Sequence, residues 1–268
     1  QEEVEAGKPC LLVLHGDQQN AAQTAPYWQS AKELGYGLGL AQSSQVQMSE
    51  AYLWDDEETA AEEISDQWNA LKEQGVDIEN SILCGFSSGG RAAFYAAVSG
   101  AIAPKGLILV SPWLPELEEW TEDLSKLKAA GTAVYICCGD ADEDCFEGSE
   151  ALFEILDDNG IEVEFKLCPD LEHDYPENFE QILQEAIPEI PGLRALLVRG
   201  ADGADSITLD GPADLLRWDG TAWQAQTVTP AALGLRSCSW TLQKTEKDAE
   251  TAAQITALLR GEVHDARR

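Results

Sequence analysis

Positive charge is what this sequence has least of. Its 268 residues include 17 Lys and Arg against 49 Asp and Glu, a formal net charge of −32. A surface that acidic repels phosphate backbones and anionic headgroups, which excludes nucleic acid and membrane surfaces as preferred partners. The deficit is uneven: residues 1–192 hold 8 basic and 39 acidic side chains, and residues 193–268 hold 9 and 10. No apolar run approaches the ~20 residues that a membrane-spanning helix requires, so no span is expected. No basic-then-apolar leader is present, and the start at Gln1 in place of Met reads as a trimmed or mature chain. A C-x-x-C pair is also missing. The seven cysteines, Cys10, Cys84, Cys137, Cys138, Cys145, Cys168 and Cys238, are odd in number and mostly lie in or beside apolar runs. That pattern favours small buried thiols in a reducing, cytoplasmic setting over a disulfide framework. Adjacent Cys137 and Cys138 point to opposite faces of a strand, which argues against a metal centre, so neither metal nor cofactor is expected.

What is present is an alternation of strand and helix patterns. Residues 10–14, 36–40, 81–84, 106–110, 132–138 and 161–167 are short apolar runs of the kind found in buried parallel strands. Helical patterns fall between them, at 24–34, 57–74, 91–98, 149–158 and 177–186. In the second of these Ala60, Ile64, Trp68 and Leu71 recur at spacings of three and four, a core-facing stripe. Alternation at this spacing implies βαβ units and a mainly parallel sheet of about six strands flanked by helices, with the ligand site beyond the carboxyl ends of the strands. Past Pro188-Glu189-Ile190-Pro191-Gly192 the pattern changes to short β-like pieces around 193–198, 206–209, 215–218, 221–226 and 237–242. Asp219-Gly220 gives a hairpin signal between two of them. A closing amphipathic helix is expected over 246–260. The expected division is therefore a domain over 1–190 and a small β-rich unit over 193–268.

The chemistry collects around Cys84-Gly85-Phe86-Ser87-Ser88-Gly89-Gly90, a glycine-bracketed serine between a strand and a helix. Such a turn presents a hydroxyl at the top of a parallel sheet, and it forces the residues two before and two after so close that a Cβ clashes. A serine nucleophile needs a base, and the base needs an orienting carboxylate. Histidine is scarce too, with three in the chain. His15 follows the first strand in a loop-shaping His-Gly pair, and His264 lies in a charged tail. His173 follows the final strand of the parallel unit, where its loop can reach back over the sheet. The strand between ends in Gly139-Asp140-Ala141-Asp142-Glu143-Asp144, which offers three carboxylates that spacing alone does not separate. A calcium-loop interpretation of that run fails, since Cys145 and Ala151 stand where Gly and Glu are required.

Residues 1–190 resemble the α/β-hydrolase superfamily and, within it, the phospholipase/carboxylesterase (acyl-protein-thioesterase-like) family. The resemblance rests on Leu12-Val13-Leu14-His15-Gly16, on Met48 followed by Trp54-Asp55, on the elbow Gly85 to Gly90, on Ser111-Pro112-Trp113-Leu114-Pro115, and on Gly139-x-x-Asp142 and Glu172-His173. It implies a Ser87, Asp142 and His173 triad, and so selects Asp142 over Asp140 and Asp144. It also implies an oxyanion hole made by the backbone N–H groups of Asp17 and Ser88. Ser88 replaces the family's glutamine, and Asp17 stands where an apolar residue is usual, so its side chain is expected to point away or Gln18 to supply the N–H instead. Trp54, Trp113, Leu114 and Tyr175 are expected at the same sheet edge, lining an acyl pocket. The implied reaction is hydrolysis of small carboxylic esters or thioesters through an acyl-enzyme. A peptidase of the same fold and a non-catalytic hydrolase-like binding protein are the alternatives.

Overall fold

The computed structural model describes residues 3–189 and, beyond them, five strands within 196–242. The chain forms two compact units, Gln1–Ile190 and Pro191–Arg268. In the first, the strands in chain order are β1 (Cys10–Leu14), β2 (Gly37–Ala41), β3 (Gln45–Met48), β4 (Ala51–Leu53), β5 (Ile82–Phe86), β6 (Gly106–Val110), β7 (Ala133–Gly139) and β8 (Val163–Cys168). The helices are α1 (Ala21–Thr24), α2 (Glu57–Glu73), α3 (Ser88–Val98), α4 (Leu117–Trp120), α5 (Ser125–Ala130), α6 (Phe146–Asp158) and α7 (Phe179–Glu189).

Six of these strands form one parallel sheet in the order β2-β1-β5-β6-β7-β8. The apolar runs explain the order. Every residue of β1, β5, β6 and β7 is buried, as a strand covered on both faces requires, whereas the edge strands β2 and β8 carry partly exposed positions. After β1 the chain builds outward to β2 and then returns to the other side of β1 with β5. The loops after β1 and β5 therefore diverge at the switch in strand order, where open parallel sheets leave a crevice.

Helix α2 starts where Asp56 caps it, its side chain accepting from the Thr59 N–H, and Glu57 and Glu58 in its first turn suit the positive end of the helix dipole. Its buried stripe is Ala60, Ala61, Ile64, Trp68 and Leu71, which contains all four expected positions. The segment expected as a helix over 24–34 splits into α1 and a 3₁₀ stretch, Ala25–Leu34, with Pro26 at its start and Gly35 closing it at φ 88. Between β2 and α2 the chain also forms the small antiparallel pair β3–β4, which neither hydrophobic alternation nor a tight-turn pair announces.

In the second unit β9 (Leu196–Val198), β11 (Ala213–Trp218) and β12 (Trp223–Val228) form one sheet, and β10 (Asp205–Leu209) pairs antiparallel with β13 (Cys238–Leu242). The β11–β12 hairpin is antiparallel as Asp219-Gly220 signals, but pairing ends at Trp218–Trp223, so four residues separate the strands instead of two. The helix expected over 246–260 and His264 lie outside the described residues. Among the described residues no helix is long and apolar enough to cross a membrane.

Candidate active site

Strand β5 ends in the elbow. Ser87 has φ 53 and ψ −120, a conformation that L-residues rarely adopt and that costs about 1–3 kcal/mol. Its backbone is held there from three sides. The Ser87 N–H donates to the Val110 carbonyl at 3.0 Å, and the Ser87 carbonyl accepts from Arg91 N at 3.1 Å and Trp113 N at 3.2 Å. The bracketing glycines are obligatory for a steric reason. A Cβ on Gly85 sits 2.2 Å from the Gly89 carbonyl oxygen, and one on Gly89 sits 2.4 Å from the His15 carbonyl oxygen. Those neighbours are backbone atoms, so no side chain can move aside. Gly85→Ala is expected to cost more than about 4 kcal/mol, the range of severe core damage, and to leave no cooperative thermal transition near that of the wild type. An unchanged melting temperature contradicts the packing described.

Above the elbow stands His173. Its Nε2 lies 2.9 Å from Ser87 Oγ and its Nδ1 lies 2.8 Å from Asp142 Oδ2. With the ring neutral, Nδ1–H donates to the carboxylate and Nε2 accepts the serine proton. Asp142 is 1% exposed, and its second oxygen accepts from the Cys145 N–H at 3.2 Å. The loops that carry the two residues leave the sheet together, because β7 and β8 run level at Gly139 and Cys168. They are then joined by hydrogen bonds from Ala141 N to the Leu171 carbonyl at 3.2 Å and from Asp170 N to Asp140 Oδ1 at 2.7 Å. Gly139 is needed there, since a Cβ on it meets the Leu171 carbonyl oxygen at 2.0 Å. Asp140 thus braces the histidine loop while Asp142 meets the imidazole. Asp144 is exposed.

The imidazole packs on Phe86, with ring centroids 5.0 Å apart, and Phe86 stacks on Tyr175 at 4.6 Å. Tyr175 is itself fixed by the Trp28 indole N–H, which donates to its hydroxyl at 3.1 Å, and by Tyr27 stacked at 4.0 Å. Of this aromatic prop the sequence-derived site included Tyr175 but neither Phe86, Tyr27 nor Trp28. Phe86 adjoins Ser87 in the chain and could have been suspected; Trp28 lies 147 residues from its partner and gave no signal.

Of the other histidines, His15 is fully buried; its Nδ1–H donates to the Gly16 carbonyl at 2.8 Å and its Nε2 accepts from Ser43 N at 3.3 Å. Burial lowers its pKa and holds it neutral, so it shapes the loop after β1. Trp54 belongs to the same arrangement, its indole N–H donating to the His15 carbonyl at 2.9 Å. Trp54, Trp113, Leu114 and Tyr175, the residues expected to line an acyl pocket at this sheet edge, differ in exposure. Trp54, Leu114 and Tyr175 are buried, because their polar tips or apolar bodies find partners inside, while Trp113 is 40% exposed. Trp113 adjoins the elbow through its backbone bond to Ser87 and packs against the Arg91 guanidinium, 5.2 Å from its ring. Arg91 in turn pairs with Glu57 at 2.7 Å and Glu116 at 3.3 Å.

Ser88 N–H opens helix α3, and Asp17 N–H lies in the loop after β1; neither donates to another group among the described residues. Gln18 N–H is committed to the Tyr52 carbonyl at 3.0 Å, which removes it as the alternative donor. The Asp17 side chain is exposed, and its carboxyl pKa is raised by partial desolvation and then by the charge of Asp55. Of the cysteines, Cys10, Cys84, Cys137, Cys138, Cys145 and Cys168 are buried, and the last five of these are outside any disulfide. Cys145 stands beside the site, with Sγ 3.6 Å from His173 Nδ1 and its thiol pKa raised by burial and then by the Asp142 charge.

The family model described as phospholipase/carboxylesterase matches residues 43–190. Among solved structures, an uncharacterized protein from Bacillus cereus ATCC 10987 is 42% identical with a TM-score of 0.65, over 69% of this chain and 61% of that one. The Bacillus cereus carboxylesterase is 20% identical with a TM-score of 0.55, over 71% of this chain and 92% of its own. Acyl-protein thioesterase 2 of Zea mays is 18% identical with a TM-score of 0.54, over 69% and 95%. These last two likenesses are of fold. A different similarity, 33% identity over 94 residues, relates 35% of this chain to anthranilate phosphoribosyltransferase from Natronomonas pharaonis and spans 28% of that protein.

Proposed function

The chain belongs to the phospholipase/carboxylesterase family, and on that premise we propose that it is a serine hydrolase cleaving small carboxylic esters or thioesters through an acyl-enzyme. The observation that carries this is the unbroken chain from Ser87 Oγ through His173 to Asp142, at 2.9 and 2.8 Å, on a strained elbow. His173 Nε2 takes the Ser87 proton as Oγ attacks the acyl carbon. Asp142 keeps the imidazole in the tautomer that can accept at Nε2 and stabilises the imidazolium that forms. The N–H groups of Asp17 and Ser88 receive the oxyanion of the tetrahedral intermediate, where preorganised donors act most strongly. His173 then protonates the leaving alcohol or thiol, and a water activated by the same imidazole releases the acid. Trp113 is the side chain offered to the acyl group.

Residues 1–190 form the catalytic unit in this scheme, with the unit beyond them appended. The phosphoribosyltransferase likeness, over 28% of that enzyme's length, does not bring its activity with it. Five buried cysteines outside any disulfide, Cys84, Cys137, Cys138, Cys145 and Cys168, favour a reducing, cytoplasmic location, and the acidic charge disfavours nucleic acid as a partner. The test is a fluorophosphonate probe followed by peptide mapping, run beside a panel of short-chain p-nitrophenyl esters and acyl thioesters. Labelling of Ser87 with turnover of at least one panel member is expected. A label on another serine, or no turnover across the panel, sinks the assignment.

A further inference from the structure

Three donor atoms of different chemistry meet beside the triad. Asp142 carboxylate, Cys145 Sγ and His173 Nδ1 all lie within 4.8 Å of one another, with sulfur and imidazole nitrogen 3.6 Å apart and nitrogen and carboxylate oxygen 2.8 Å apart. Tetrahedral zinc with bonds of about 2.0–2.3 Å separates its ligand atoms by about 3.3–3.7 Å. The Cys145–His173 pair already stands at that spacing, and the Asp142–His173 pair needs to open by about half an ångström. A second thiol, Cys138 Sγ, lies 3.9 Å from the same carboxylate, so the surroundings are soft as well as anionic. Asp142 and Cys145 are each 1% exposed, but the His173 side chain is 39% exposed, which gives a cation an approach. The hydrolase mechanism uses Asp142 and His173 and gives the Cys145 thiol no part.

We propose that Asp142, Cys145 and His173 bind a soft divalent cation of the Zn²⁺ class, and that its occupancy switches the hydrolase off. The site stands on its own geometry, whereas the inhibition rests on the serine-hydrolase function above. The consequence follows from the proton positions. For Nδ1 to ligate the metal, its proton moves to Nε2, and the thiol proton passes to solvent, so one proton is released for each cation bound. The imidazole stays neutral but now presents Nε2–H to Ser87. A nitrogen that already carries a proton cannot accept the one from Oγ, and the nucleophile is left unactivated. The fourth position of the cation is open to water, and chelation restores the original tautomer.

Two measurements test this on the full chain. Titration with Co²⁺ is expected to produce a thiolate-to-metal charge-transfer band in the near ultraviolet, absent in Cys145→Ser and in Cys145→Ala. Zn²⁺ is expected to lower ester turnover more than tenfold, reversibly with EDTA. The Zn²⁺ concentration for half-inhibition is expected to rise at least ~10-fold in both variants, each compared with its own EDTA-treated activity, since loss of even an outer partner costs 10–100-fold in affinity. Thermal melts establish that both variants fold. No band in the wild type, or a band that survives in both variants, overturns the site. A Cys145-dependent band without loss of turnover overturns the inhibition. If no ester is turned over even after EDTA treatment, the hydrolase assignment fails while the band still decides the site.

Discussion

Ser87→Ala is expected to lower ester turnover by about 10⁶-fold, the scale seen when the nucleophile of such a triad is removed. The substitution deletes one oxygen and little else. Ser87 adopts φ 53 with its N–H and carbonyl tied to Val110, Arg91 and Trp113, and alanine can keep all three of those backbone bonds. The hydroxyl is 2.9 Å from His173 Nε2 and has no packing role, so the melting temperature is expected to change by only a few degrees. Activity and stability therefore separate. Rate measurements on the purified variant, with a melt on the same sample, give the comparison. Turnover within tenfold of the wild type would falsify the nucleophile, whereas a collapse of the melt would say that the loss came from misfolding.

Asp142→Asn is expected to lower kcat by about 10⁴-fold, and the reason lies in how its two oxygens are used. Oδ2 accepts from His173 Nδ1–H and Oδ1 accepts from Cys145 N–H. An amide offers one acceptor and one donor. The Cys145 backbone donor is fixed at the start of α6, so the amide oxygen stays there and the NH₂ faces the imidazole. That arrangement favours Nδ1 as acceptor and places the ring proton on Nε2, opposite the serine. Asp140→Asn, by contrast, keeps an oxygen for the Asp170 N–H, and Asp144 is exposed, so both variants are expected to stay within about tenfold of wild-type kcat. Steady-state kinetics on the three variants decide it. A larger loss at Asp140 or Asp144 than at Asp142 overturns the assignment of the acid.

Much of the fold was legible because its signals are local. Continuous apolar runs announced the four interior strands, since a strand buried on both faces has no use for a polar residue. The β3–β4 pair escaped because Val46 and Met48 face solvent and leave no apolar face to read, and the 3₁₀ stretch escaped because its spacing is too close to that of an α-helix. The differing exposure of the expected pocket residues was not legible for a related reason. An aromatic residue in a loop looks alike in sequence whether it faces a cleft or the interior, and only a partner such as the His15 carbonyl beneath Trp54 tells them apart.

The elbow itself was settled by the sequence. Glycines two before and two after Ser87, between an apolar run and a helix pattern, allow few backbone paths, and the 2.2 and 2.4 Å approaches show why a Cβ fits neither position. What only the tertiary structure decided is how the groups that meet at that serine are brought there. Spacing left Asp140, Asp142 and Asp144 equal, and only the family resemblance chose among them. Their difference arises from the level register of β7 and β8, which carries Asp142 to His173 across 31 residues of chain and turns Asp140 to brace the loop. The same register places the Cys145 thiol at the imidazole, a contact that no local pattern encodes because its two halves lie 28 residues apart.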